Sequence, residues 1–162
     1  MRRTSIALAL AGLAATALTA CAPTVSLDVA EDATDPACAS VIVALPDVLA
    51  EGQVGGPLDA RDTDAQATAA WGEPTAVTLR CGVPVPAPST AQCLTFEGVD
   101  WIAVTGVEGE DAQTFVSYGR EPAVEVVIDA EVISGGTVLG ELSQQVSVTE
   151  RVGGCISPDE AP

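Results

Sequence analysis

Apolar and polar residues alternate with a period of two through much of the second half of this chain, and recur at helical spacing near the beginning and the end. Thr75, Val77, Leu79, Cys81 and Val83 alternate with Ala76, Thr78, Arg80 and Gly82, which predicts a strand with Cys81 on its apolar face and Arg80 on the other. Pro84, Pro86 and Pro88 break it. Cys93 to Phe96, Glu97-Gly98 and Val99 to Thr105 read as a hairpin, and Thr114 to Tyr118 as a further strand after the acidic turn Glu108 to Asp111. From Ala123 to Val132, Val124, Val126 and Ile128 point one way while Glu125, Asp129 and Glu131 point out.

Helical signals flank this β pattern. Asp35-Pro36 is a helix start, with Asp as the cap and Pro in the first turn, and Val41, Ile42, Leu45 and Leu49 follow at helical spacing until Pro46 ends or kinks the helix. Glu51 to Pro57 reads as a Gly-rich turn, and the Ala-rich stretch Asp62 to Ala70 as a second short helix ended by Trp71-Gly72 before Pro74. After Gly135-Gly136, Val138, Leu139, Leu142 and Val146 fit an amphipathic closing helix. The expected fold class is α+β: about five antiparallel strands, with N-terminal and C-terminal helices packed on one face. Residues 37–156 form the single domain in this reading, and residues 157–162 a loose tail.

The first twenty residues carry a different message. Arg2-Arg3, an apolar run from Ile6 to Ala17 and Leu18-Thr19-Ala20-Cys21 describe an exported chain's leader. Leu, two small residues and Cys form a pattern that resembles the lipobox of bacterial lipoproteins; the resemblance implies cleavage before Cys21, with lipid attached to its sulfur. A membrane-spanning reading falls short, because Ile6 to Ala20 is 15 residues and a span needs about 20. Cleavage after Ala20 without lipid is the simpler alternative, and Thr4-Ser5-Ile6 lacks the aromatic and leucine of a twin-arginine signal. Residues 21–36 then read as the lipidated Cys and a flexible acidic tether.

Composition narrows the chemistry. The 162 residues hold 23 Asp plus Glu against 6 Arg, no Lys and no His, for a net charge of −17. Without residues 1–20 the balance is 4 Arg against 23 acids, net −19. Such a chain is repelled by phosphate backbones and anionic lipid surfaces, so nucleic acid is not an expected partner, and attachment to a membrane would come from the lipid at Cys21. The absence of His removes every imidazole base, nucleophile pair and His metal ligand.

With Cys21 set aside, Cys38, Cys81, Cys93 and Cys155 remain, an even number that reads as two disulfides with three possible pairings. Cys81–Cys93, closing a Pro-rich loop, and Cys38–Cys155, joining the ends of the domain, is the favoured one. No Cys-x-x-Cys spacing points to metal.

Four segments, Trp71-Gly72-Glu73-Pro74, Leu79-Arg80-Cys81-Gly82-Val83, Gly98-Val99-Asp100-Trp101 and Tyr118-Gly119-Arg120, resemble an actinobacterial lipoprotein family, domain of unknown function 3515. The resemblance covers roughly residues 36–146 and implies an exported or lipid-anchored protein, with no activity or site attached.

Arg80 and Arg120 lie in these motif segments beside the aromatic Trp101 and Tyr118, and Arg61 is a third cation of the mature chain. A guanidinium fork suits carboxylate or phosphate, and aromatic rings suit stacking, so Arg80, Trp101, Tyr118 and Arg120 are the candidate ligand-binding residues for an anionic or sugar-like envelope ligand. The competing reading pairs each Arg with an acid and places each Trp in the core. Asp62-x-Asp64-x-Gln66 with Glu73 at the twelfth position imitates a calcium loop, but Ala67 replaces the glycine its sharp turn requires. Glu125 and Asp129 share a strand face that the alternation makes solvated. No cofactor, metal or catalytic residue is expected. The expected function is a non-catalytic binding or accessory module on the outer face of the cytoplasmic membrane. The alternatives are a carboxylate-based hydrolase of wall glycans and a structural partner of another exported protein.

Overall fold

A computed structural model describes residues 23–88, 91–104 and 112–155. Cys21, the leader, the acidic turn 108–111 and the tail 157–162 lie outside the described residues. Helix α1 (Pro36–Ala44) begins as its sequence dictates: Asp35 Oδ1 accepts the Ala37 N–H at 2.7 Å, and the helix stops before Leu45, whose extended backbone precedes Pro46. The strands are β1 (Val48–Leu49), β2 (Leu58–Arg61), β3 (Thr68–Trp71), β4 (Val77–Val83), β5 (Cys93–Phe96), β6 (Val99–Val104), β7 (Ala112–Tyr118), β8 (Arg120–Glu121), β9 (Ala123–Asp129) and β10 (Glu150–Arg151), with α2 (Gly135–Val146) between β9 and β10.

Eight strands form one sheet in the order β1-β2-β3-β4-β9-β7-β6-β5, antiparallel at every ladder, and β8 pairs with β10 in a small second sheet. The sheet is therefore larger than the five strands expected. The difference lies in β1, β2 and β3. β1 has two residues and β2 four, and the Ala-rich stretch expected to be helical turns at Ala67, which has a φ of 56°, and then runs as the four-residue β3. Trp71 decides that outcome: it is buried, and its Nε1 donates to Pro46 O at 3.0 Å, so burial of one large ring overrides the helix propensity of the alanines before it.

Both helices pack on the inward face of this sheet. Cys38 and Val41 of α1 and Val138, Leu139, Leu142 and Val146 of α2 join Leu79, Cys81, Val124, Val126, Ile128, Phe115 and Trp101 in one core. Trp101 Nε1 reaches across to Ser143 Oγ of α2. Ala50, at φ 57°, donates its N–H to Glu141 Oε2 at 2.8 Å, which fastens the turn after β1 to α2. A smaller apolar cluster, Val83, Ile102, Val116 and Ala123, lies apart from this core and is packed by Ala30 and Ala91.

The expected tether is ordered from Pro23 onward. Val25 bridges Thr63 in parallel, Ser26 Oγ and the Leu27 N–H donate to Asp64, and the Asp32 N–H donates to Gly82 O at 2.9 Å. Gly82, at φ +92°, has to be glycine because a Cβ there would stand 2.5 Å from Ala33 N. Ala33 itself is buried. Acidic side chains and the absence of a periodic pattern suggest a flexible linker, yet here backbone hydrogen bonds hold the segment, and a polarity pattern carries no sign of those.

Both disulfides form, in a pairing different from the favoured one: Cys38–Cys81 and Cys93–Cys155, with Cα separations of 5.5 and 6.4 Å. Strand order explains it. Three strands separate β4 from β5, so Cys81 and Cys93 stand roughly 19 Å apart at the usual strand spacing, well beyond the ~7 Å limit for Cα atoms joined by a disulfide. Cys81 faces α1 and meets Cys38, while Cys93 on the edge strand meets the chain returning after β10.

Candidate functional site

Three of the four candidate ligand-binding residues are used in holding the fold together. Trp101 is fully buried, with its indole N–H on Ser143 Oγ at 2.9 Å. Arg120 is buried as well: Nη1 donates to Ser147 O and Thr149 O at 2.9 and 2.8 Å, and Nη2 to Gly98 O at 3.2 Å. Burial lowers its pKa, repulsion from Arg151 adds to that, and Asp100 opposes it; a guanidinium stays charged through such shifts. Its fork thus closes the C-terminal end of α2 onto the β5–β6 turn. Tyr118 is half-buried and packs against the smaller apolar cluster. Arg61 follows the same logic, with Nη1 on Gly72 O at 2.8 Å and paired with Glu73, and Nη2 on Pro23 O at 2.7 Å.

Arg80 stands apart. It lies on β4 directly opposite Glu125 of β9 in the ladder, on the face away from the helices, and its Nε and Nη2 both donate to Glu125 Oε1 at 2.9 and 2.6 Å. Cross-strand opposition of this kind brings two side chains within contact distance without any help from loops. The pair forms one wall of a shallow groove of about 440 Å³, completed by Thr78, Val127 and the Ser26–Asp28 stretch laid along the sheet. Arg80 keeps 27% of its side chain accessible and Glu125 keeps 12%, so the pair is partly reached by solvent from the groove. The structure does not bring Arg80 together with Trp101 and Arg120. Glu125, Thr78, Val127 and Ser26 to Asp28 join it instead. Periodicity placed Glu125 on the Arg80-bearing kind of face, and strand register would have been needed to pair the two.

A second groove, about 590 Å³, runs between Pro46, Glu97 and the outer side of α2 at Gly140, Glu141, Gln144 and Gln145, with Ser147 just past the helix end. Its Glu141 already holds the Ala50 N–H. Among the described residues one cluster has ligand atoms close enough for a metal, Cys93, Asp100 and Cys155, within 4.8 Å of one another. Both sulfurs are in the disulfide, and Asp100 accepts from Thr95 Oγ1 at 2.6 Å and the Cys155 N–H at 2.9 Å, so the cluster reads as a structural knot. The imitation calcium loop is likewise taken apart: Asp64 Oδ2 and Oδ1 accept from Ser26 Oγ and the Leu27 N–H, which lower its pKa below the ordinary aspartate range.

The family model described as "Protein of unknown function (DUF3515)" matches residues 4–152, nearly the whole sequence. The chain belongs to the DUF3515 family. That match takes in all four of the motif segments and three of the four disulfide cysteines of this DUF3515 chain, Cys155 lying just beyond it. No curated protein and no solved structure matches it.

Proposed function

We propose that this DUF3515 chain is an exported, lipid-anchored and non-catalytic protein of the cell envelope, which binds through the Arg80–Glu125 groove. The observation that supports it is the use of cysteine. Of five cysteines in the sequence, four are engaged in two disulfides that tie α1 and the C-terminal segment to the sheet, as suits an oxidising compartment. The fifth is Cys21, within Leu18-Thr19-Ala20-Cys21 behind a basic and apolar leader, where a thiol would receive lipid.

The groove supports a binding role because it presents the half-open guanidinium of Arg80 in a mature chain of 4 Arg and 23 acids. A small ligand with a carboxylate or phosphate, or an acidic loop of an exported partner, would find its complementary charge there. A wall-glycan hydrolase ranks below this reading. It needs two free carboxyls across one cleft, whereas Arg80 engages Glu125 in the first groove and the Ala50 N–H engages Glu141 in the second.

Two measurements test the proposal. Intact mass of the N-terminal peptide from membranes should show a diacylglyceryl group on Cys21, and Cys21→Ala should move the protein out of the membrane fraction; a mature chain with an unmodified Cys21 would overturn the anchor. Thermal shift of residues 22–162 against anionic wall fragments should give a stabilisation that Arg80→Ala abolishes. A ligand present at about 100 times its Kd adds roughly 2.7 kcal/mol. A shift that survives Arg80→Ala would move the site elsewhere, and no shift with any fragment would favour a protein partner, sought by crosslinking.

A further inference from the structure

The path of the chain just after Cys21 carries a second conclusion, which rests on the lipid-anchor reading. We infer that the domain is clamped close to the bilayer in one orientation, with the end of the sheet that bears the 51–57 loop and the Gly72–Ala76 turn facing the lipid.

The clamp is Arg61. Its side chain is 9% exposed, its Nη2 donates to Pro23 O, its Nη1 donates to Gly72 O and pairs with Glu73, and its buried Nε has no partner among the described residues. A buried guanidinium with that many fixed acceptors does not move freely, because each released donor would be left unsatisfied. Pro23 is thus bound to the domain, and the ladder-like contacts of Val25, Ser26 and Leu27 with Asp62 to Asp64 continue the attachment. Cys21 is two residues before Pro23 in the sequence, a chain reach of at most about 7 Å. A lipid on the Cys21 sulfur therefore holds the Pro23 end of the domain close to the bilayer.

Direction follows from register. Val25 pairs in parallel with Thr63, so moving back from Val25 to Pro23 runs from Thr63 toward Arg61, whose guanidinium reaches Gly72. Gly72 in turn hydrogen-bonds Asp59 O, and Ala76 O accepts the Asp129 N–H, which places the Gly72–Ala76 turn, the start of β2 and the turn after β9 at one end of the sheet. The 51–57 loop belongs to that end too, since a Cβ on Gly55 would meet Ile133 Cδ1 at 3.2 Å. The end carries Val54, 96% exposed, and Val132, 42% exposed, as apolar side chains able to touch lipid. Val148 and Val152 are exposed at the opposite end, where Val152 and Gly153 hydrogen-bond Gly119 O between β7 and β8. Ser26 to Asp28, one wall of the Arg80 groove, begin five residues after Cys21, so the groove stands near the membrane surface and its ligand is one present there.

The test uses the full lipidated protein in phosphatidylcholine vesicles that contain a rhodamine-labelled lipid as energy acceptor. Azidophenylalanine replaces Val54 in one sample and Val148 in another, and each is coupled to the same donor dye. A folded chain of this size is about 35 Å across, so transfer from position 54 should exceed that from position 148 several-fold, and Arg61→Ala should shrink the difference. Equal transfer from the two positions, or stronger transfer from 148, overturns the orientation. The mass of the same sample's N-terminus separates the two ideas: an unlipidated Cys21 with no transfer from either position refutes the anchor and the orientation together, whereas a lipidated Cys21 with equal transfer refutes the orientation alone.

Discussion

The indole Nε1 of Trp101 donates to Ser143 Oγ at 2.9 Å, and that hydroxyl in turn donates to Leu139 O at 2.6 Å one turn back along α2. Both side chains are fully buried, so this pair of bonds satisfies the indole donor of Trp101 inside an otherwise apolar interface. Removing the middle member strands the indole. Ser143→Ala should cost about 1–3 kcal/mol, the usual penalty for an unpaired buried donor. In a double-mutant cycle Trp101→Phe should make Ser143→Ala markedly cheaper, because no donor is then left unpaired. Urea unfolding of the four proteins checks this, and strict additivity would mean that the hydrogen bond contributes nothing.

The two disulfides should differ in weight despite similar loops. They close 43 and 62 residues, for which chain entropy gives about 4 kcal/mol in either case. Cys38 and Cys81 are fully buried between α1 and β4, whereas Cys93 and Cys155 are half-buried at the edge. Cys38→Ala/Cys81→Ala should therefore lower the unfolding midpoint more than Cys93→Ala/Cys155→Ala, since the first pair also leaves a void. Connectivity is checked without reduction. Trypsin cuts after Arg61, Arg80, Arg120 and Arg151, so the pairing seen here links the fragments bearing Cys38, Cys81 with Cys93, and Cys155 into one species. Pairing of Cys81 with Cys93 would release residues 81–120 as a separate peptide.

Local signals were legible and non-local ones were not. Asp35-Pro36 announced α1, Glu97-Gly98 the β5–β6 hairpin and the alternation around Leu79 and Val126 the two central strands, because each is written in adjacent residues. The short strands β1 and β2 offered two and four residues, too few to show a period. The disulfide pairing depends on which strands lie between β4 and β5, and Arg80 meets Glu125 only through register. Arg120 and Trp101 stood out by residue type alone, and burial turned them from ligand groups into structural ones.

Asp64 makes the N-terminal segment sensitive to acid. Its carboxylate accepts from Ser26 Oγ and the Leu27 N–H, and these bonds lower its pKa below the ordinary aspartate range in the folded protein. A depressed folded pKa means that the stabilisation is complete above the unfolded pKa and is lost as pH falls through the folded value. Residues 25–28 should therefore loosen at low pH. Hydrogen exchange at Leu27, corrected for its intrinsic pH dependence, should rise as the carboxyl protonates. Asp64→Asn should show the faster exchange already at neutral pH and lose the acid transition; an unchanged transition in that variant would assign it to another group.

Arg80 and Arg120 should respond very unequally to the same substitution. Arg120 donates three hydrogen bonds to backbone carbonyls in a buried site, and each unsatisfied carbonyl costs about 1–3 kcal/mol, so Arg120→Ala should lose at least ~3 kcal/mol. Arg120→Lys should recover little, because an ammonium cannot span acceptors on α2's end and on the β5–β6 turn with one planar fork. The Arg80–Glu125 pair is partly solvated, and such pairs contribute up to about 1 kcal/mol, so Arg80→Ala should leave the fold nearly as stable. Thermal unfolding of the three variants without ligand checks this order. A severe loss in Arg80→Ala would make that pair structural too, and would remove the one half-open cation on which the groove's affinity for anions depends.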